Sequence, residues 1–275
     1  MTERVRWIAN LSLLFTEIPL LDRPAAAKAA GFDEVEFWWP FGTEGRPRAS
    51  EIERFTNAVL SAGVQLAAMN LFGGDMQAGE RGVLSYPERT EEFRESVRIA
   101  AHIGELLGTR LFNAPYGHRR EGLPEAVQDA LADESLAFAS SEIGKIGGTV
   151  LLEPISGMPL YPMKLPQDAF AVIDRLRESK GITNLGFLLD QYHLENQGVD
   201  LLTAIDDWGE KILHVQLADV PGRGEPGSGA AQIGPLIERL RGSGYTGAFA
   251  LEYIPTTDTA TSLVAWERER SSWGV

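Results

Sequence analysis

Four apolar runs in the second half of the chain each lead into a carboxylate or an amide. Leu151-Leu152 precedes Glu153, Leu188-Leu189 precedes Asp190, His214-Val215 precedes Gln216, and Leu251 precedes Glu252. Two glutamates, one aspartate and an amide oxygen brought together form a hard oxygen set, suited to Mg²⁺ or Mn²⁺ rather than to zinc or copper. Such an ion also offsets the cost of burying ionised carboxylates and the mutual repulsion that would raise their pKa values. Taken singly, each side chain reads equally well as a strand-end cap or an ion-pair partner, since strand ends are commonly polar. Recurrence on four consecutive runs is what carries the metal-site reading.

Further side chains fall where a substrate would meet them. His214 lies two residues before Gln216 and so shares its strand face. It suits a ligand, a substrate donor or a support that orients Gln216. His193, three residues after Asp190, falls past the strand end as a substrate donor. For both, a structural histidine satisfied by backbone or water is the competing reading. Arg223 sits in the glycine- and proline-rich segment 219–229 and can fork onto a substrate carboxylate, unless it merely pairs with Glu225 at the surface. Segment 72–86 is long enough for a lid or binding element, or for a mobile insertion, and carries Arg81 as a second substrate candidate. Asn70, near the end of the third apolar run, is another. Trp38, Trp39 and Phe41 offer aromatic walls, although core packing or a subunit contact would use them as well. His102, in a helical pattern, and His118, in a loop, read as structural or solvated.

These residues need elements to position them, and the chain supplies a rhythm. Short apolar runs span Trp7–Leu11, Glu34–Trp39, Val64–Leu71, Thr109–Pro115, Thr149–Ile155, Leu185–Tyr192, Ile212–Ala218 and Ala248–Ile254. Helical patterns alternate with them at 22–30, 50–62, 88–107, 124–146, 165–179, 200–208, 232–241 and 259–270. Gly63 and Gly108 stand where a helix end needs positive φ, and Ser50 with Glu53 reads as a capping box. Alternating strands and helices predict an α/β fold with a parallel sheet. Eight units in 275 residues match a (β/α)₈ TIM barrel, expected as a single domain over residues 1–275. A doubly wound open sheet would show a glycine-rich turn after its first strand, and here Asn10-Leu11-Ser12 follows instead. In a barrel, chemistry belongs at the C-terminal ends of the strands, where the four ligand candidates fall.

Composition narrows the partners. With 25 Lys and Arg against 39 Asp and Glu, the net charge of −14 disfavours nucleic acid and anionic membranes. Zero cysteines remove disulfides, thiolate metal sites and cysteine nucleophiles together. Trp7 to Phe15 is too short and too interrupted to span a bilayer, so a cytoplasmic protein is expected. Trp208 and Trp266 suit either a homo-oligomer contact or core burial.

The chain resembles the hydroxypyruvate isomerase family of the xylose-isomerase-like barrels. The resemblance runs through Ala9-Asn10-Leu11-Ser12, Val35-Glu36-Phe37, Gly79-Glu80-Arg81-Gly82, Glu153-Pro154-Ile155 and Asp190 with Tyr192-His193. It continues in His214-Val215-Gln216-Leu217-Ala218-Asp219, Arg223-Gly224-Glu225-Pro226-Gly227 and Glu252-Tyr253. It implies that Glu153, Asp190, Gln216 and Glu252 hold a divalent Mg²⁺ or Mn²⁺, and that Glu153 and Glu252 form the acid/base pair. The implied reaction interconverts hydroxypyruvate and 2-hydroxy-3-oxopropanoate, a small anionic sugar-acid substrate, through an enediolate. Ser156-Gly157-Met158-Pro159 departs from the asparagine and nearby acid that related ketose epimerases carry after the first glutamate. The alternatives are an isomerase of a longer 2-oxo acid such as 2-oxo-tetronate, a ketose 3-epimerase, or a sugar-acid-binding barrel without turnover. A metal-dependent abasic-DNA nuclease on the same fold would need more histidines and a basic face.

Overall fold

The computed structural model describes residues 5–208 and 211–273. Its eight strands are β1 (Trp7–Asn10), β2 (Glu34–Phe37), β3 (Gln65–Asn70), β4 (Leu111–Asn113), β5 (Thr149–Leu152), β6 (Leu185–Asp190), β7 (Ile212–Leu217) and β8 (Phe249–Leu251). They pair in parallel and in chain order, and β1 pairs with β8 to close the barrel. The helices are α1 (Arg23–Ala29), α2 (Ala49–Ala62), α3 (Thr90–Leu107), α4 (Glu125–Gly144), α5 (Pro166–Lys180), α6 (Gln191–Asn196), α7 (Leu201–Trp208), α8 (Ile233–Gly242) and α9 (Thr259–Arg270). This is the TIM barrel that the alternation predicts.

Strand alternation divides the apolar residues between two regions. Ala9, Val35, Val150, Val215 and Leu251 face the helices and join the large cluster outside the barrel wall. Ile8, Ala248 and Ala250 form a separate small cluster with Ala67, which fits the floor of the lumen. At or next to its C-terminal end each strand carries a polar residue, so the packed base of the barrel supports a polar mouth. The helix-facing layer also takes up Trp208, packed on Phe187, and Trp266, packed on Trp7 and Phe32. Both tryptophans are buried, so core packing accounts for them.

Three local expectations change. Helix α2 starts at Ala49, and the Glu51 carboxylate accepts the Arg48 backbone N–H at 2.9 Å, so the cap lies two residues before the Ser50–Glu53 pair. Strand β6 stops at Asp190 because that side chain turns back to cap α6, accepting the His193 N–H at 3.1 Å. Segment 72–86 is tied down: Gly82 and Val83 bridge to Tyr116 and Gly117, and Val83, Leu84 and Ser85 are buried. Gly82 has φ 120°, and a Cβ there would lie 1.9 Å from the Pro115 carbonyl oxygen, so this crossing requires glycine. Among the described residues no helix is long and apolar enough to cross a membrane.

Candidate active site

Every strand brings an amide or a carboxylate to the mouth. Asn10, Glu36, Asn70, Asn113, Asp190 and Gln216 lie in β1, β2, β3, β4, β6 and β7, while Glu153 and Glu252 follow β5 and β8 directly. All except Asn70 are buried. The rule that found four of them extends to Asn10 and Asn113, near the ends of their runs, but not to Glu36, which sits inside the run Glu34–Trp39; sequence reasoning singled out none of the three as site residues.

The two glutamates are held from different sides. Asn113 Nδ2 donates to Glu153 Oε2 at 2.7 Å, and Trp38 Nε1 donates to Glu252 Oε1 at 2.7 Å. Trp38 is therefore more than an aromatic wall. Arg223 bridges the cluster, with Nη2 3.1 Å from Asp190 Oδ2 and 3.3 Å from Glu252 Oε1. Its guanidinium also lies over the Tyr192 ring. The neighbouring Glu225 is engaged elsewhere, accepting from the Thr256 backbone N–H and hydroxyl. Arg223 adopts φ 59°, a left-handed conformation that costs a non-glycine residue about 1–2 kcal/mol. Its charge is thus held inside the mouth rather than spread on the surface.

Charge arithmetic favours a dication here. Glu153, Asp190 and Glu252, all ionised, bring three negative charges, and Arg223 returns one. Without further compensation the carboxyls resist ionisation. Burial first, and then the charge of Asp190, push Glu153 up to about 8. Burial raises Glu252 well above the carboxylate range, and Asp190 and Glu153 add to that while Arg223 opposes it. Burial also works against the Arg223 cation, but Glu252, Asp190 and Glu153 hold its pKa above the usual arginine value.

Two further observations fit a divalent ion. Gln216 Oε1 and Glu252 Oε2 are buried and have no hydrogen-bond partner, an unusual state for polar oxygens. Ligand atoms of Glu153, Asp190 and His193 also lie within 4.8 Å of one another, which is spacing that could hold a cation. The hydrogen bonds of His193, however, suit a substrate donor better than a ligand. Its Nδ1 lies 3.2 Å from the Ser156 backbone nitrogen and 2.9 Å from Ser156 Oγ. A backbone N–H can only donate, so Nδ1 accepts and a neutral ring carries its proton on Nε2. Burial lowers the His193 pKa, although Asp190 opposes the shift, and a lowered value favours the neutral ring. Nε2 faces Glu153 Oε1 at 3.8 Å and Asp190 Oδ2 at 3.7 Å. Ser156, part of the departure from the epimerase pattern, thus sets the ring's tautomer.

An inner pocket of about 110 Å³ is lined by Glu153, Glu252, His193, Arg223, Arg81 and Asn70, among others. Arg81 reaches this wall while donating to the carbonyls of Met76 and Glu80. An outer chamber of about 460 Å³ shares Trp38, Asn70, Met76 and Pro115 with it. His214 is a correction among the substrate-binding candidates. Its ring is 1% exposed, its Nε2 lies 2.6 Å from Glu36 Oε2, and it does not line the pocket. The carboxylate across the barrel holds it below the reacting layer. Glu36 Oε1 accepts from Gln216 Nε2 at 2.9 Å and from Asn10 Nδ2 at 2.8 Å.

The comparisons with known proteins agree with the barrel fold. The family described as Xylose isomerase-like TIM barrel matches residues 24–270. A Streptomyces coelicolor protein provisionally named hydroxypyruvate isomerase is 44% identical over 264 residues, 95% of each chain. Hydroxypyruvate isomerase of Escherichia coli is 33% identical, covering 94% of this chain and 97% of that one. A Cupriavidus necator protein named 2-oxo-tetronate isomerase is also 33% identical, covering 94% and 96%. A solved structure from Brucella melitensis, named AP endonuclease, family 2, superposes with a TM-score of 0.84 at 31% identity, covering 96% of this chain and 99% of that one.

Proposed function

This chain belongs to the xylose isomerase-like TIM barrel family and to its hydroxypyruvate isomerase branch; from that premise we propose that it interconverts hydroxypyruvate and 2-hydroxy-3-oxopropanoate. The observation that carries the reading is the buried cluster of Glu153, Asp190 and Glu252 around one arginine, beside a pocket that also presents Arg81 and His193. Glu153, Asp190, Gln216 and Glu252 would hold the ion, and an all-oxygen set suits Mg²⁺ or Mn²⁺. When bound, the ion supplies Lewis-acid polarisation of the substrate carbonyl.

The chain's own groups do the proton work. One glutamate removes a proton from the hydroxymethyl carbon of hydroxypyruvate, leaving an enediolate. The other assists delivery of a proton to the neighbouring carbon while the hydroxyl proton on the first carbon's oxygen passes to the oxygen of the second, which produces the aldehyde and its adjacent hydroxyl. Positioned acid and base groups of this kind contribute typically ~10²–10⁴-fold. The Asn113 and Trp38 donors fix the two carboxylates in orientation. His193 Nε2–H donates to a substrate oxygen, and Arg223 and Arg81 attract the carboxylate end. A local cationic wall is needed because the protein as a whole carries a charge of −14.

The outer chamber favours a second reading, isomerisation of a longer 2-oxo acid such as 2-oxo-tetronate. It continues from the inner pocket past Trp38 and Met76 and offers room for a further hydroxylated carbon. The nuclease activity named for the Brucella structure fits this chain poorly, because its net charge opposes a DNA backbone. Measuring kcat/KM for hydroxypyruvate, 2-oxo-tetronate and a neutral ketose, with Mg²⁺ or Mn²⁺ and with chelator, separates the readings. Metal-dependent turnover favouring hydroxypyruvate supports the main reading, and preference for the four-carbon acid supports the second. Turnover of the neutral ketose alone would refute both.

A further inference from the structure

An amide is an ambiguous ligand for a cation. Its oxygen accepts and its nitrogen donates from nearly the same envelope, so a glutamine serves only when something fixes which end faces the ion. Gln216 offers its oxygen to the mouth, and the cause lies across the barrel on β2. Glu36 Oε1 takes Gln216 Nε2 at 2.9 Å and Asn10 Nδ2 at 2.8 Å, while Oε2 faces His214 Nε2 at 2.6 Å. The orientation of Asn10 is set in turn by the Ser12 backbone N–H, which donates to Asn10 Oδ1 at 3.0 Å. Glu36 is 2% exposed, and the other members of the network are buried as well, apart from half-buried Ser12. Glu36 Oε1 already accepts from both amides, so a rotated Gln216 would set oxygen against oxygen inside the barrel and turn its nitrogen to the ion.

We infer that Glu36 is a positioning residue for the metal site: by holding Gln216 Nε2 it turns Gln216 Oε1 toward the cation. This inference rests on the metal-dependent reading above. Support of this kind behind a metal ligand typically changes affinity 10–100-fold, whereas a purely structural role would act through the fold.

The test is Mn²⁺ affinity, measured by calorimetry and by the electron paramagnetic resonance signal of free Mn²⁺, with thermal unfolding of the metal-free proteins alongside. Glu36→Met removes the acceptor, and the Mn²⁺ Kd rises about 10–100-fold. Glu36→Gln rescues the affinity, because its oxygen still meets Asn10 and Gln216 while its NH₂ turns to His214. The decisive arm compares backgrounds. In Gln216→Glu both ends of the side chain at that position are oxygens, so adding Glu36→Met no longer weakens Mn²⁺ binding. Should Glu36→Met not fold, Glu36→Leu is read in the same way. Equal losses in the wild-type and Gln216→Glu backgrounds, or no loss in either, overturn the inference while leaving the metal site standing. A folded wild-type protein that binds no Mn²⁺ overturns both.

Discussion

Replacing Glu153 by glutamine is expected to make the metal-free protein more stable at high pH while abolishing its activity. Glu153 is buried against Asp190, and its carboxyl is held at about 8 rather than in the usual carboxylate range. An acid whose folded pKa exceeds its unfolded value contributes its full stability below the unfolded pKa. That contribution is lost as pH rises toward the folded one. Each pH unit crossed in this window removes about 1.4 kcal/mol, so between pH 6.5 and 8.5 the wild-type protein loses roughly 2 kcal/mol through this group. At roughly 2–4 °C per kcal/mol for a chain of this size, the midpoint falls by about 4–8 °C. In Glu153→Gln the amide oxygen still accepts from Asn113, its nitrogen can face Asp190, and no charge develops. The assay is thermal unfolding by circular dichroism in chelator across that pH range. A flatter profile for the variant is the expected result. Parallel profiles would show that burial at position 153 carries no such penalty, and the charge argument for a dication would fall with it.

Other perturbations separate the parts. Glu252→Gln should lower kcat by at least about 10²-fold, and wild-type turnover in that variant would remove Glu252 from the acid/base pair. Trp38→Phe deletes a hydrogen bond to that carboxylate, worth roughly 1.5–3 kcal/mol, so kcat should fall about tenfold or more while KM moves little. A change in KM alone would make Trp38 a substrate wall. His193→Gln should reduce kcat/KM for the oxo acid and leave Mn²⁺ affinity unchanged, as measured by calorimetry. A large loss of affinity would instead make His193 a metal ligand.

The barrel was legible because the strands write short apolar runs and helices such as α2, α3 and α8 write longer amphipathic ones between them. Helix α6 was hidden because Asp190 both ends a strand and caps the turn after it, and six residues leave too short a pattern to read. At the site, the strand-end rule located Glu153, Asp190, Gln216 and Glu252, but position in sequence does not name a partner. Arg223 stands two residues from Glu225 yet pairs with Asp190, 33 positions away. Glu36 meets His214 and Gln216 across 178 and 180 positions. Such contacts depend on barrel closure, so the sequence did not show that His214, on the strand face of a ligand candidate, lies against Glu36 and away from the pocket. The Trp38 indole shows the same limit: its aromatic bulk was evident from sequence, while its N–H partner 214 positions away was not.

The most direct measurement is proton NMR of the purified protein with hydroxypyruvate in D₂O, comparing added Mg²⁺ or Mn²⁺ with chelator. Isomerisation by the two glutamates predicts metal-dependent appearance of the aldehyde product, with solvent deuterium on the carbon that gains a proton. A folded, metal-loaded protein that yields no product, or product without deuterium, would contradict proton transfer through these carboxylates exchanging with solvent.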